Sequence, residues 1–344
     1  MRRINQKPRP HHTHPRSQQG ITLIELMIAL VIGLLATGAM LKVYVDSSRL
    51  YRFNEGLARI QENGRFGLEF IRRDARMAGF WGCNHVGPSA PDAILDNLIR
   101  TDASDHPDYI SSGIDSKNGL GSNAPDEITF SGARRLVDTL RATMSGYGQH
   151  LRVVSGVGIN TRDALLISDC INADIFVVTG IFGGGANNVR HEDGSQNNTS
   201  RDLTVMYKKK NSSLYSVQQT TFCIAPGADP AKLSLRRHVN QQDGEDCATH
   251  GDELVEGIEN MQILMGEDTD GDGTANRYVP PDPGLDMDRV VSVRISLLAV
   301  SPNNNMTTEP ATYFFNGVPV TPNDTDRYLR KVFTTTITLR NKTG

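Results

Sequence analysis

Residues 20–45 read GITLIELMIALVIGLLATGAMLKVYV and are almost entirely apolar or small. Three residues interrupt the run between Ile21 and Leu41: Thr22, Glu25 and Thr37. At about 1.5 Å of rise per residue, such a run forms a helix of roughly 32 Å, long enough to cross the hydrocarbon core of a bilayer. The sequence therefore predicts a transmembrane helix over residues 21–45.

The segment before this helix differs from an ordinary secretory signal. Residues 1–20 contain five basic residues and no acidic one, and they end at Gly20. An ordinary signal peptide has its small-residue cleavage site after the apolar stretch, whereas here the small residue lies before it. Cleavage after Gly20 would leave the helix on the mature protein, with Ile21 first. The basic flank predicts that the leader is cytoplasmic and that the remainder crosses the membrane.

The GITLIE sequence of residues 20–25 resembles the class III signal of type IV pilins and pseudopilins. The resemblance implies that a prepilin peptidase cuts between Gly20 and Ile21 and methylates the new N-terminus. Most members of the family have phenylalanine where this chain has Ile21.

Glu25 is a carboxylate within an apolar helix. An isolated charge near the bilayer interior costs at least a few kcal/mol, so a partner is expected. The N-terminal ammonium of Ile21 is the best candidate, from either the same chain or a neighbouring one. The resemblance implies the neighbouring subunit of a filament. The alternative is an ordinary signal anchor with a polar residue near its cytoplasmic end.

The helix is predicted to continue beyond the membrane, through residues 46–80. Apolar positions recur there at helical spacing, with charged residues between them: Leu50, Phe53, Leu57, Ile60, Leu68, Ile71, Ala75 and Ala78. Both halves together form a helix of about 90 Å. Three glycines weaken its middle and predict either bends or very close packing: Gly56, Gly64 and Gly67. Gly79 is a natural C-terminal stop.

Residues 49–83, RLYRFNEGLARIQENGRFGLEFIRRDARMAGFWGC, narrow the resemblance. They are similar to the PilW-type minor pilins, in which a helix with QENGRF and RDxRMAG leads into Gly-Cys. The C-terminal residues 252–344 also resemble PilW-type minor pilins and the J-type minor pseudopilins of type II secretion. The middle of the chain, about 84–250, has no such resemblance.

Composition limits the remaining possibilities. Without the leader the chain has 31 basic and 39 acidic residues, a net charge of −8. This acidity argues against direct nucleic-acid binding. Four cysteines follow the helix, and none forms a C-x-x-C pair. In an oxidising periplasm two disulfides are expected with three possible connectivities, and proximity in sequence favours Cys223–Cys247 and Cys83–Cys170.

Alternating patterns predict β-strands throughout residues 81–344, the periplasmic globular domain. The last three are strongly patterned: Glu253–Met265, Arg289–Val300 and Arg330–Arg340. Shorter runs in the middle are Glu127–Phe130, Leu151–Val154, Ala164–Ser168, Asp174–Thr179, Leu203–Tyr207 and Leu214–Val217. The apolar stripe of the helix would cover one face of the sheet. The sequence therefore predicts an α+β, pilin-like fold with a long N-terminal helix packed on an antiparallel sheet.

Glycine- and asparagine-rich stretches at 111–125 and 183–200 are typical of loops. The segment 208–211, KKKN, predicts a hairpin tip between two strands, as a solvated turn or as a contact for DNA or a receptor. The segment 119–124, GLGSNA, matches a dinucleotide-binding fingerprint only in its letters, since no strand precedes it and no helix follows.

Residues 268–273, DTDGDG, have the spacing of a calcium-binding loop. Carboxylates at alternate positions suit Ca²⁺, which takes six to eight oxygen ligands. The candidate ligands are Asp268, Asp270, Asp272, Thr274 and Asn276. Val279 stands where an EF-hand needs glutamate, so a complete EF-hand is excluded. The alternative is an acidic turn without a metal.

Enzyme motifs are absent: the sequence has no G-x-S-x-G, H-E-x-x-H or Walker A loop. Three of the nine histidines lie in the leader, and the other six are scattered, which predicts surface residues: His85, His106, His150, His191, His238 and His250. Trp81, beside Cys83, predicts a core anchor after the helix. We expect no enzymatic activity.

The resemblance implies a minor pilin of the type IV pilus that joins a minor-pilin complex and primes assembly. Its implied partners are other minor pilins, the major pilin, the prepilin peptidase, the inner-membrane assembly machinery, and membrane lipid around residues 21–45. Before assembly the protein would lie in the inner membrane, with its C-terminal domain in the periplasm, and afterwards in the pilus. The alternatives are a type II secretion pseudopilin, a calcium-dependent tip adhesin, and a DNA receptor at the tip.

Overall fold

The computed structural model describes residues 20–85, 94–99, 112–119, 124–154, 158–183, 188–194, 198–240 and 245–343. The predictions for residues 1–19, for His106 and for most of the 119–124 segment lie outside these ranges. The chain divides into two compact units, residues 1–52 and 53–344, each of which is described by itself.

One long helix, α1, covers Leu23–Ala75 and confirms the predicted N-terminal helix. Its first half is almost entirely exposed, including apolar side chains such as Leu34, which is 72% exposed. Among the described residues this is the one helix long and apolar enough to cross a membrane.

The strands are short in the middle of the chain and long toward its end. In chain order they are β1 Phe80–Trp81, β2 Asn84–His85, β3 Ile94–Asn97, β4 Ile114–Lys117, β5 Glu127–Thr139, β6 Leu151–Arg152, β7 Ala164–Ser168, β8 Asn172–Val177, β9 Gly180–Phe182, β10 Asn188–Arg190, β11 Ser213–Pro226, β12 Leu233–Val239, β13 Asp252–Glu256, β14 Ile258–Glu267, β15 Arg277–Val279, β16 Val290–Val300, β17 Tyr313–Phe315, β18 Val318–Val320 and β19 Arg330–Thr338. A short helix, α2, covers Cys247–His250.

Two sheets form most of the second unit. One has four antiparallel strands in the order β15-β14-β16-β19. The other has eight strands built around β11, and it is antiparallel except for the parallel pair β3 and β8. The long helix and these largely antiparallel sheets confirm the α+β, pilin-like fold.

Within the second unit, α1 packs on the four-stranded sheet through small residues. Its buried positions follow helical spacing: Gly56, Ile60, Gly64, Gly67, Ile71, Asp74 and Ala75. A Cβ atom on Gly64 would lie 2.3 Å from Cδ2 of Phe333, and one on Gly67 would lie 2.9 Å from Cδ1 of Leu297. Close packing therefore accounts for these two glycines, because β16 and β19 approach the helix backbone there.

Two strand predictions were wrong in their bounds or nature. Leu203–Tyr207 is not a strand: the Thr204 N–H donates to Asp174 Oδ2 at 3.1 Å, and the Leu203 N–H donates to the Tyr147 carbonyl at 3.2 Å. The lysines at 208–210 lie in an exposed turn, but they do not form a hairpin tip. The predicted strand 253–265 is divided into β13 and β14 at Gly257, whose φ of +78° interrupts an extended chain.

Both disulfides join the cysteines that sequence proximity favours. Cys83 bonds Cys170 with a Cα–Cα distance of 4.8 Å, and Cys223 bonds Cys247 with a distance of 6.1 Å. Trp81 is completely buried, as expected for a core anchor.

Candidate functional site

The processing segment lies at the start of α1. Gly20 and Ile21 precede the helix, and Ile21 is 75% exposed. Glu25 lies in the first turn, where a carboxylate complements the positive end of the helix dipole. The side chain of Glu25 is exposed, so it is available to a group from another molecule.

Thr22 is the N-cap of α1, a role that the sequence interpretation missed. Its hydroxyl oxygen accepts a hydrogen bond from the Glu25 N–H at 3.3 Å, and its carbonyl accepts one from the Leu26 N–H at 3.1 Å. The available signal was the Thr-x-x-Glu pattern of residues 22–25, which is typical of a capping box. Helix α1 therefore begins immediately after the proposed cleavage bond, and its first turn has its own cap.

The acidic loop follows β14, and its three aspartates lie together. One carboxylate oxygen from each of Asp268, Asp270 and Asp272 lies within 4.8 Å of the other two. Asp268 is buried, whereas Asp270 and Asp272 are exposed. The loop therefore offers a cluster of oxygen atoms at the surface, with one member fixed inside.

Hydrogen bonds to backbone groups already hold Asp268. Oδ1 accepts from the Gly271 N–H at 2.7 Å, and Oδ2 accepts from the Gly273 N–H at 2.8 Å. Burial opposes ionisation of the carboxyl, but the N–H groups of Gly273 and Gly271 outweigh it and hold the pKa of Asp268 below its ordinary value of 3.8. The turn is thus stabilised by the chain itself.

The two other candidate ligands have different surroundings. Asn276 Oδ1 accepts from the Thr269 N–H at 2.6 Å, and Asn276 Nδ2 donates to Asp270 Oδ2 at 3.2 Å. The Thr274 N–H donates to Asp272 Oδ1 at 2.7 Å. Calcium would replace or share several of these contacts, since the same oxygens accept them.

A small cavity lies where the end of α1 meets β5 and β11. Its volume is about 20 Å³, and its lining includes Asp74, Ser131 and Arg134. Burial raises the pKa of Asp74, while Arg134, 3.4 Å away, opposes that rise. Such a volume holds about one water molecule, so this cavity does not fit a cofactor.

Two of the histidines whose burial the structure describes do not lie at the expected surface positions. His191 is 1% exposed, and its Nε2 lies 2.9 Å from the Gln149 carbonyl. His238 is largely buried, with Nε2 3.3 Å from Glu245. Both predictions failed because the β-rich middle encloses these side chains, which their scattered sequence positions do not indicate.

Two family models match the sequence. Residues 207–341 match PilW, type IV pilus-assembly protein W. Residues 15–41 match the prokaryotic N-terminal methylation motif. Over these two segments the chain is similar to PilW-type type IV pilins. No curated protein matches it.

The two matches cover different parts of this PilW-like chain. The PilW match contains β11 to β19, the Cys223–Cys247 disulfide and the acidic loop. The methylation-motif match contains Gly20, Ile21 and Glu25. Residues 49–83, with their QENGRF motif, lie outside both matches, so the resemblance of that segment remains an interpretation.

Proposed function

We propose that the chain is a minor pilin that joins a complex of minor pilins and primes assembly of a type IV pilus. The observation that carries this proposal is the order of parts in one chain. A methylation motif comes first, then an exposed apolar helix half, and then a sheet domain that matches PilW. In this role the chain acts by assembly, and no catalytic step is assigned to it.

Processing is the first step of the proposal. A prepilin peptidase cuts between Gly20 and Ile21, and the new N-terminus at Ile21 is methylated. The protein is then held in the inner membrane by residues 21–45, with its C-terminal domain in the periplasm. The exposed apolar side chains of α1 support this step, because lipid or neighbouring helices would cover them.

Filament entry is the second step. Residues 21–45 leave the bilayer and pack among the same segments of the major pilin and other minor pilins. Glu25 pairs with the N-terminal ammonium of an adjacent subunit and so sets axial register. The exposed position of Glu25 on a capped first turn supports this pairing.

The experiment compares Gly20→Val with Gly33→Val, since both substitutions add the same side chain to the apolar segment. Intact mass and N-terminal sequencing would show Ile21 first in the wild type and in Gly33→Val. Uncleaved protein is expected for Gly20→Val. Normal processing of Gly20→Val would refute the proposed cleavage site.

A second comparison separates processing from assembly. Glu25→Gln retains the size and capping position of Glu25 but removes its charge. We expect a cleaved protein that is depleted from sheared pili while present in the inner membrane. Equal recovery of wild type and variant in pili would remove the proposed role of Glu25.

Two alternatives use the same anchor. Deleting the gene distinguishes a pilus minor pilin from a type II secretion pseudopilin. Loss of surface pili with normal enzyme secretion would indicate the pilus, and loss of secreted enzymes with normal pili would indicate type II secretion. Direct nucleic-acid binding is not part of the proposal, because the mature chain has a net charge of −8.

Calcium binding by the acidic loop is a second proposal, favoured by the proximity of Asp268, Asp270 and Asp272. Calcium should then raise the thermal midpoint of the wild type and have less effect on Asp272→Asn. Asp324→Asn, a change at an exposed turn, is the control. No difference between the two variants would leave the loop as an acidic turn.

A tip adhesin is a further alternative that requires calcium in this loop. Under that alternative, surface adhesion should require these aspartates while the number of pili stays normal.

A further inference from the structure

The strand β19 ends the four-stranded sheet, and its outer edge is open. β19 pairs with β16 along nine residues without a bulge, and it pairs with no other described strand. Within residues 332–339 the sequence VFTTTITL contains no charge, proline or glycine. Charged residues and proline usually protect an edge strand from pairing with another chain, and this stretch has neither.

The register determines which backbone groups face outward. The Leu339 N–H donates to the Val291 carbonyl, and the Ser301 N–H donates to the Leu329 carbonyl, both at 2.8 Å. In an antiparallel ladder the residues that bond one neighbour alternate with those that face the other side. The N–H and C=O groups that point away from β16 therefore belong to Val332, Thr334, Thr336 and Thr338. Among the described residues, no backbone or side-chain hydrogen bond reaches these groups.

The opposite edge of the same sheet is closed. The Asp126 N–H donates to the Met261 carbonyl, and Asp126 Oδ2 accepts from the Ile263 N–H, both at 2.8 Å. β15 pairs with the remainder of β14, from Met265 to Glu267. The β14 edge thus bonds other parts of the chain, whereas the outward backbone groups of the β19 edge bond no described residue.

Charges at the two ends of the open edge restrict its partner. Lys331 and Arg340 are exposed, and neither forms a salt bridge with a described residue. If two copies of β19 paired symmetrically, Arg340 of each would meet the Arg330–Lys331 end of the other. Like charges directly opposite across strands are destabilising. A strand with carboxylates on both sides of a β-forming core avoids this repulsion and gains charge pairs.

We propose that β19 binds an extended strand of another protein, with acidic residues flanking its core, by addition to the sheet edge. The main-chain groups of the four outward residues supply the hydrogen bonds. Lys331 and Arg340 select the partner by charge. The proposal does not depend on the pilin function, because its test measures binding by the purified full-length chain in detergent and not pilus formation.

The probe is a synthetic peptide with a Thr-Val-Thr-Val-Thr core and two glutamates at each end. A peptide with the same core and lysines at the ends is its control. The glutamate peptide should slow hydrogen exchange at the amides of Val332, Thr334, Thr336 and Thr338. Amides of Phe333 and Thr335 already face β16 and serve as internal references. If the glutamate peptide leaves the outward amides unprotected, or if the lysine peptide protects them equally, the proposal fails.

Two variants test geometry and charge separately. Thr336→Pro removes an outward N–H and leaves the β16 ladder intact, so affinity should fall about tenfold. Thr336→Val loses the same hydroxyl but keeps the N–H, and it should bind as the wild type does. Replacing Lys331 and Arg340 with glutamate should reverse the preference between the two peptides. Full binding by folded Thr336→Pro would overturn edge addition, and protection of the edge by the chain alone at high concentration would overturn the choice of a foreign strand.

Discussion

Asn341 bonds Ala78, in the turn that directly follows α1, although the two residues lie 263 positions apart. Asn341 Nδ2 donates to the Ala78 carbonyl at 3.1 Å and to the Arg76 carbonyl at 3.2 Å. Both carbonyls belong to the turn at residues 76–79, which begins where α1 ends at Ala75. The C-terminal tail thereby holds the turn after α1 against the sheet domain.

Replacing Asn341 with aspartate should destabilise the protein by about 1–2 kcal/mol, because the new carboxylate faces carbonyl oxygens without a donor. Urea unfolding of the purified protein measures this loss. Asn211→Asp adds the same charge at an exposed turn and is the control. Equal stability of the two variants would mean that the tail does not support the turn after α1.

Substitution by alanine should lower the stability of the protein at Gly64 but not at Gly56. Alanine improves helix propensity by about 1 kcal/mol at either position. At Gly64 the new Cβ would meet the Phe333 ring at 2.3 Å, and overpacking of about 1–3 kcal/mol should exceed that gain. At Gly56 the nearest atom is Met306 Sδ at 3.4 Å, so Gly56→Ala should be neutral or stabilising. Thermal midpoints decide between these outcomes, and Phe333→Leu should relieve the loss caused by Gly64→Ala.

Lys342 should make stability rise with pH in the alkaline range. Burial lowers the pKa of Lys342 to about 8 from an ordinary value of 10.5, and Asp288 and Asp286 only partly oppose this. Between these values the unfolded chain holds more protons than the folded chain, so the free energy of unfolding increases with pH, by up to about 3 kcal/mol.

Lys342→Met removes the titration and is the comparison. The stability of the wild type minus that of the variant should grow from pH 7 to pH 10.5. A constant difference would show that Lys342 has an ordinary pKa. Lys342→Met also removes the hydrogen bond from Nζ to the Ser112 carbonyl, which is 2.8 Å long. That loss should lower the stability of the variant by the same amount at every pH, so it does not alter the slope.

The two disulfides should differ in their rate of reduction. Cys83 and Cys170 are exposed, whereas Cys223 and Cys247 are buried. A mild reductant followed by alkylation should therefore label the first pair earlier, because thiol exchange requires access. Peptide mass spectrometry identifies the labelled residues. Earlier labelling of Cys223 and Cys247 would contradict the buried position of that pair.

The sequence pattern predicted the strands near the C-terminus of the second unit better than those in the middle of its sequence. β16 and β19 were placed within two residues, since one face of each strand is buried and alternation follows directly. The strand predicted at Leu203–Tyr207 is absent, because the Thr204 N–H bonds the Asp174 carboxylate and not a neighbouring strand. Thr22 was missed although its capping pattern is local.

The acidic loop shows the same division at a candidate site. The sequence spacing predicted that Asp268, Asp270 and Asp272 lie close together, because alternate positions of a tight turn lie within a few ångströms of one another. It did not indicate that Asp268 is buried and already accepts from the Gly271 and Gly273 N–H groups. Those two bonds lie within the loop, three and five residues from Asp268.

The sequence by itself determined the apolar segment, the methylation motif and the long helix, because hydropathy, motif spacing and periodicity are properties of neighbouring residues. Only the tertiary structure decided why Gly64 is a glycine, where Asn341 and Lys342 bind, and which edge of the sheet stays open. Each of these depends on residues distant in sequence that meet only in the folded chain, such as Lys342 and Met287, 55 positions apart, and Asn341 and Ala78, 263 positions apart. Local pattern holds no information about such distances.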